Sequence, residues 1–168
     1  MTEAKTETAR VLALLRDGAP VTDATIAVAD AAAAVNEMLE GVAAGGYVAI
    51  QAYLPRYAAR DERLATLREA IRDRTGAAIT VGYGPRYLHS TGQLHKGGPA
   101  TGAFLQLVAD HAGDVPIPDA HETFGMLIDA QALGDAASLR RRGRPVVRVS
   151  LGGDPDAGLD ALVAAIRG

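Results

Sequence analysis

Residues 47–81 read YVAIQAYLPRYAARDERLATLREAIRDRTGAAITV, and this stretch decides the fold. Its opening run, Tyr47-Val48-Ala49-Ile50-Gln51-Ala52, is short and mostly apolar, the pattern of a strand buried within a sheet, and Pro55 closes it. Residues 59–74 then place Leu64, Leu67 and Ile71 three to four positions apart among charges, which predicts an amphipathic helix that stops at Thr75-Gly76. Residues 78–81 form the next strand. Strands alternating with helices at this spacing imply a parallel sheet covered by helices on both sides.

The same alternation extends outward. Upstream, Ile26, Val28, Val35, Met38, Leu39 and Val42 keep a helical period over residues 23–43, broken by Gly45-Gly46. Before that, Val11, Leu12, Leu14 and Leu15 predict a helical arm over residues 1–20, ended by Asp17-Gly18-Ala19-Pro20. Downstream, residues 101–108 read as a strand, with a helix as the alternative, and Pro116 and Pro118 mark an exposed connection. A helix over residues 123–142 capped by Gly143, a strand over 146–151 and a helix over 155–167 complete the pattern, the last with Leu159, Leu162, Val163 and Ile166 on one face. The fold class expected is α/β, a three-layer sandwich with a mostly parallel sheet, organised as the arm plus a single domain over residues 21–168.

The chain has 168 residues, enough for one core that buries roughly two thirds of the unfolded surface. Apolar residues make up 48% and charged residues 22%, with a net charge of -3, which excludes a disordered or nucleic-acid-coating chain. There is no cysteine, so thiolate chemistry and a disulfide framework are excluded and a reducing, cytoplasmic setting is expected. The early charges Glu3, Lys5, Glu7 and Arg10 are unlike a secretory signal, and Asp30, Asn36, Glu37 and Glu40 interrupt the alanine-rich stretch too often for a bilayer span. No membrane partner is therefore expected.

One segment departs from this regular pattern. Residues 82–100 carry Gly82, Gly84, Gly92, Gly97 and Gly98 with Pro85 and Pro99, so many breakers that a long loop without regular structure is expected. Between Arg74 and Asp110 there is no acidic residue, whereas Arg86, His89, His95 and Lys96 all fall there. A loop of this length inside a compact domain is usually functional. Placed at the carboxyl end of a strand, where open α/β sheets bind ligands, it suits a small anion.

The stretch Gly82-Tyr83-Gly84-Pro85-Arg86-Tyr87-Leu88-His89-Ser90-Thr91-Gly92-Gln93-Leu94-His95-Lys96-Gly97-Gly98-Pro99 resembles the phosphoglucose isomerase part of bifunctional transaldolase/phosphoglucose isomerases. Ala52-Tyr53-Leu54-Pro55-Arg56 and Ala130-Gln131-Ala132-Leu133-Gly134-Asp135 extend the likeness, which spans roughly residues 45–151. It implies the second, C-terminal sugar isomerase (SIS) domain of such an enzyme, interconverting glucose 6-phosphate and fructose 6-phosphate, a step of glycolysis and gluconeogenesis, by ring opening and proton transfer through a cis-enediol. On this likeness His95, in Thr91-Gly92-Gln93-Leu94-His95, is the ring-opening residue, a role suited to an imidazole near neutral pH. Aligning the family's Met-Glu-Ser-Asn-Gly stretch on Gly76 puts Asp73 at the position of the enediol carboxylate. The family's late catalytic lysine has no counterpart near Gln131. Arg86, His89, Ser90, Thr91, Gln93 and Lys96 are expected to bind the sugar phosphate.

No cofactor is expected: the lysine among glycines lacks a Gly-Lys-Ser/Thr ending, and Gly82-x-Gly84 lacks the third glycine of a dinucleotide fingerprint. His111 and His121 lack helical zinc-ligand spacing, so no metal is expected and both read as solvated. Arg140, Arg141, Arg142, Arg144 and Arg148 form a basic cluster at a helix end without interleaved aromatics, which argues against nucleic acid. Because an isomerase of this type needs two SIS domains, the expected partner is a second copy or a separate SIS/transaldolase half, with the loop residues Tyr53, Leu54, Tyr57 and Tyr87 at that interface. The opening Met1 and the arm favour a stand-alone product. A non-catalytic SIS-like module that binds a sugar phosphate or another protein is the alternative.

Overall fold

The computed structural model describes residues 2–17 and 24–168. Helix α1 (Thr2–Arg16) is followed by strand β1 (Thr25–Ala27), a 3-10 turn over Val28–Asp30 and α2 (Ala32–Glu40). Then come β2 (Tyr47–Tyr53), α3 (Ala58–Thr75), β3 (Ala78–Tyr83), a 3-10 turn over Arg86–His89, α4 (Thr91–Gly97), β4 (Gly102–Val108), α5 (Phe124–Arg141), β5 (Val146–Ser150) and α6 (Pro155–Arg167). The strands form one sheet in the order β1-β5-β4-β2-β3, and every neighbouring pair is parallel.

From β2 the chain moves one way along the sheet to β3, and from β4 the other way to β5. Right-handed crossovers then put α3 and α5 on opposite faces. Alternation along the strands supplies both interfaces: Val48, Ile50 and Ala52 of β2 pack with Leu64, Leu67, Ile71, Leu159 and Leu162 beneath α3 and α6. Ala49 and Phe104 point the other way, onto Leu139 of α5. α1 lies against α5, with Val11 packed on Ala130 and Leu133, so the arm belongs to this second helical layer. The result is a three-layer α/β sandwich.

Helix ends follow local chemistry. Asp154 accepts from the backbone N–H groups of Asp156 and Ala157 and Pro155 fills the first turn of α6; Thr123 accepts from Met126 N–H at the start of α5. α3 ends at Gly76, whose φ of 65° is the left-handed conformation that glycine adopts without steric cost.

Three expectations are corrected. The helix expected over residues 23–43 begins as a strand: Thr25, Ile26 and Ala27 pair with Arg148, Val149 and Ser150 of β5, a tertiary contact that overrides the local helical period. The loop expected over 82–100 contains the Arg86–His89 turn and α4, stabilised because Tyr87 and His95 are buried beneath it. Tyr53, Leu54 and Tyr87, expected at an interface, are buried in the core, 3%, 7% and 5% exposed; Tyr57 alone of that group is exposed. Met1, residues 18–20 and Asp23, included in the arm and helix expectations, lie outside the described residues.

A buried polar row crosses the middle of the sheet on the α5 face, where Gln51 of β2, Gln106 of β4 and Arg148 of β5 stand in register. Gln106 Nε2 donates to the Ala132 carbonyl of α5 at 3.1 Å, so the row also fixes the helix above it.

Candidate functional site

The Gly82–Pro99 segment divides into a buried side and an exposed side. On the buried side, β3 delivers the chain past Gly82 and Gly84, where a side chain has no room: a Cβ at Gly82 would lie 2.9 Å from Tyr87 Cβ, and one at Gly84 would enter the Tyr53 ring. Tyr87 therefore packs under the turn and edge-on to Tyr53, and its hydroxyl donates to Asp135 Oδ2 at 2.5 Å. The Tyr53 and Tyr87 hydroxyls are 3.1 Å apart. Burial, then the charge of Asp135, pushes the Tyr53 phenol well above its ordinary range. Burial likewise dominates at Tyr87.

Lys96, expected in the anion site, instead turns inward to Asp135, with Nζ 2.5 Å from Oδ1 and the two side chains 12% and 1% exposed. His95 is buried among Tyr47, Tyr87 and Phe104, with ring centroids 5.1 Å from Phe104 and 5.9 Å from each tyrosine. Its Nδ1 has no hydrogen-bond partner, and burial holds its pKa below the ordinary histidine value, so the ring is neutral near pH 7. Arg144 Nη2 donates to Gly98 O at 2.6 Å, tying the end of α4 to the α5–β5 connection. Of the five arginines in the basic cluster read from the sequence, Arg144 and Arg148 are buried.

On the exposed side Arg86, Ser90 and Thr91 line one cavity of about 560 Å³ between α3 and the free edge of β3. Arg56, Asp61 and Arg68 line it too. Among the described residues Arg68 and Arg86 have no ion-pair partner. Arg56 and Tyr83 are engaged with Asp61: Arg56 Nε lies 3.1 Å from Oδ2, and the Tyr83 hydroxyl donates to Oδ1 at 2.8 Å. Three guanidiniums against one carboxylate, beside two hydroxyls, make this cavity suited to an anion such as phosphate. His89 and Gln93 are exposed on the same segment but do not line it.

The structure does not bring His95 and Asp73 together. Asp73 is exposed near the end of α3, where its Oδ1 accepts from Arg72 Nε and Nη2, and α3 covers the sheet face opposite to His95. The sequence reading also missed Asp61 and Arg68. Residues 61, 64, 65 and 68 share one helical face, a spacing that reads as an ordinary charged surface until β3 is placed beside it.

A second cavity, of about 610 Å³, occupies the crevice where the connections after β2 and β4 diverge, the usual ligand position in an open α/β sheet. Its chemistry differs. Asp110 and Asp114 face it, and its arginine, Arg60, is paired with Asp156 at 2.9 Å. His111, expected to be solvated, is half-buried on this wall with Nε2 3.1 Å from Asp129 Oδ1. An anion would meet the carboxylates of Asp110 and Asp114 here, so charge favours the first cavity. Among the described residues no group of three or more His, Cys, Asp or Glu side chains converges as a metal site, and no helix is long and apolar enough to cross a membrane.

The strand order corresponds to the doubly wound arrangement 2-1-3-4-5 with its fifth place filled by the N-terminal β1. No protein-family model and no curated protein matches the chain. Among solved structures, a hypothetical protein from Thermus thermophilus, TT0462, has the same fold: the TM-score is 0.59 at 18% identity, over 82% of this chain. The chain spans 38% of the length of that protein.

Proposed function

We propose that the chain binds a sugar phosphate and forms one SIS-like half of an aldose–ketose isomerase acting on glucose 6-phosphate and fructose 6-phosphate, in the cytoplasm, with the site completed by a second copy or a separate SIS half. The observation that carries this reading is the pairing of Arg68 and Arg86, both without ion-pair partners among the described residues, with Ser90 and Thr91 in one cavity on the Gly82–Pro99 segment. A phosphate held between two guanidiniums gains charge-assisted hydrogen bonds of about 1.5–3 kcal/mol each.

The test is a backbone-shift titration with fructose 6-phosphate. Shifts should cluster at Arg68, Arg86, Ser90 and Thr91, and Arg86→Ala should weaken binding at least tenfold, the lower end of that energy. Shifts confined to the Arg140–Arg142 surface would refute the site. A completed isomerase also requires association, so light scattering at micromolar concentration should show a dimer, or a monomer that becomes active only when the other half is supplied. The purified chain alone should turn over well below the roughly 10 per second of a typical enzyme.

The separation of His95 from Asp73 favours a second reading, a module that binds the sugar phosphate without turning it over. Binding at the cavity with no isomerisation under any pairing would select it.

A further inference from the structure

We propose that the crevice beyond β2 and β4 is a second ligand site, which takes a small organic cation: a protonated amine on Asp110, with an apolar or aromatic body against Phe124 and Val115. The inference stands apart from the sugar-phosphate reading, whose cavity lies at the β3 edge of the sheet. β2 and β4 are neighbours, and the chain leaves them for opposite edges, so their carboxyl ends open the crevice in which doubly wound sheets bind ligands. The cavity there, of about 610 Å³, falls within the range of roughly 300–1,000 Å³ that encloses a whole small molecule.

Its walls are apolar and open. Of the five large apolar side chains exposed among the described residues, Tyr57, Val115 and Phe124 line this one cavity, with Val115 55% and Phe124 48% exposed. Leu54 and Ile128 line it beside them. Exposed apolar side chains scattered singly need no explanation, but three gathered in one concave site mark a surface that a ligand covers. So broad a wall suits a ring or a branched body better than the thin stem of a lysine side chain, and the occupant is therefore a free small molecule.

Charge selects the ligand's polar end, because the groups that would hold an anion are already engaged. Arg60, 3% exposed, donates from Nε to Asp156 Oδ1 at 2.9 Å, from Nη1 to the Pro55 carbonyl at 2.8 Å and from Nη2 to the Tyr57 hydroxyl at 2.5 Å. The N-terminus of α5 is filled by Asp114, whose Oδ1 accepts from the Val115 and Gly125 N–H groups at 2.8 Å each, and that of α6 by Asp154, which accepts from Asp156 and Ala157. His111 Nε2 lies 3.1 Å from Asp129 Oδ1. Asp110 is different: among the described residues its carboxylate has no ion-pair or hydrogen-bond partner. Its backbone is nevertheless fixed, the N–H donating to Gly152 O at 3.1 Å and the carbonyl accepting from Ala112 N–H at 3.2 Å. A positioned, unpaired carboxylate in an apolar cavity whose one arginine is engaged is complementary to a cation, and an ammonium there donates charge-assisted hydrogen bonds.

The experiment titrates the full chain with 2-phenylethylamine, with 2-phenylethanol as the neutral probe of the same shape and with 3-phenylpropanoate as the anionic one, and reads backbone shifts. The amine should shift Asp110, Val115 and Phe124 and bind at least tenfold more tightly than the alcohol, the effect of one charge-assisted hydrogen bond. The propanoate should bind more weakly than either. Asp110→Asn, which alters a side chain with no partner among the described residues, should bring amine and alcohol within threefold of each other, and Phe124→Ala should weaken both. No shift with the amine, equal binding of amine and alcohol, tighter binding of the propanoate, a preference that survives Asp110→Asn, or shifts outside this cavity overturns the proposal. So does N-acetyl-lysine amide binding more tightly than the amine, which would make the occupant a lysine of a protein partner.

Discussion

The ion pair beneath α4 sets a test of how the candidate site is held in place. Asp135→Asn preserves side-chain shape but deletes the charge 2.5 Å from Lys96 Nζ, on a residue 1% exposed. The asparagine carbonyl can still accept from Tyr87, so the main loss is compensation of the Lys96 ammonium, whose side chain is 12% exposed. Removing one partner of a buried pair costs about 3–5 kcal/mol. A domain of this size loses about 2–4 °C of melting temperature per kcal/mol, so the expected fall is roughly 6–20 °C. That is a large part of a native stability of about 5–15 kcal/mol. Calorimetric melting reads it directly. Asp135→Asn with Lys96→Met removes both charges and should recover at least half of the loss, because an apolar pair of similar volume is often as stable as the ion pair it replaces. A fall below about 2 °C in the single variant, or a double variant no better than the single, would show that the pair is not the anchor argued for here.

Two further outcomes concern the same segment. Because His95 has a depressed pKa in the folded chain, the unfolded state binds the extra proton as pH falls through about 6.5, and stability present above that pH is lost below it by at most about 1.4 kcal/mol per unit. His95→Phe, which keeps an aromatic ring among Tyr47, Tyr87 and Phe104, should therefore show a smaller melting-temperature difference between pH values of about 7.5 and 5.5 than wild type, and an equal difference refutes the assignment. Gly84→Ala forces a methyl group into the Tyr53 ring and should cost about 1–3 kcal/mol in a denaturant melt; a neutral result would mean that β3 and the turn after it shift freely.

Much of the architecture was legible in the sequence because the strands near residues 47, 78, 102 and 146 are apolar runs bounded by breakers, and α6 carries its own start and stop signals. β1 was not, because Thr25, Ile26 and Ala27 are too few to show an alternation and owe their conformation to pairing with β5. α4 was hidden by its glycines: a side chain at Gly92 would sit 3.1 Å from the Tyr87 carbonyl, so a residue that reads as a breaker marks close packing. At the candidate site, Arg86, Ser90 and Thr91 were visible as donors in an acid-free stretch, and the structure gathers them into one cavity. The inward turn of Lys96 and His95 depends on Asp135 and Phe104, which lie farther along the chain, and no local pattern encodes it.

The edge strand β1 has a consequence for how the chain is made. Its pairing joins Thr25 to Arg148, so a ribosome must add more than a hundred residues before β1 has its neighbour. At about 5–20 residues per second that wait is roughly 6 to 25 s, during which the sheet can assemble outward from β2 and β3. α1 is delayed too, since the α5 surface that receives Val11 emerges late. Segments synthesised early are thus among the last to find their neighbours, and the opening and closing portions of the nascent polypeptide depend on each other for their final positions.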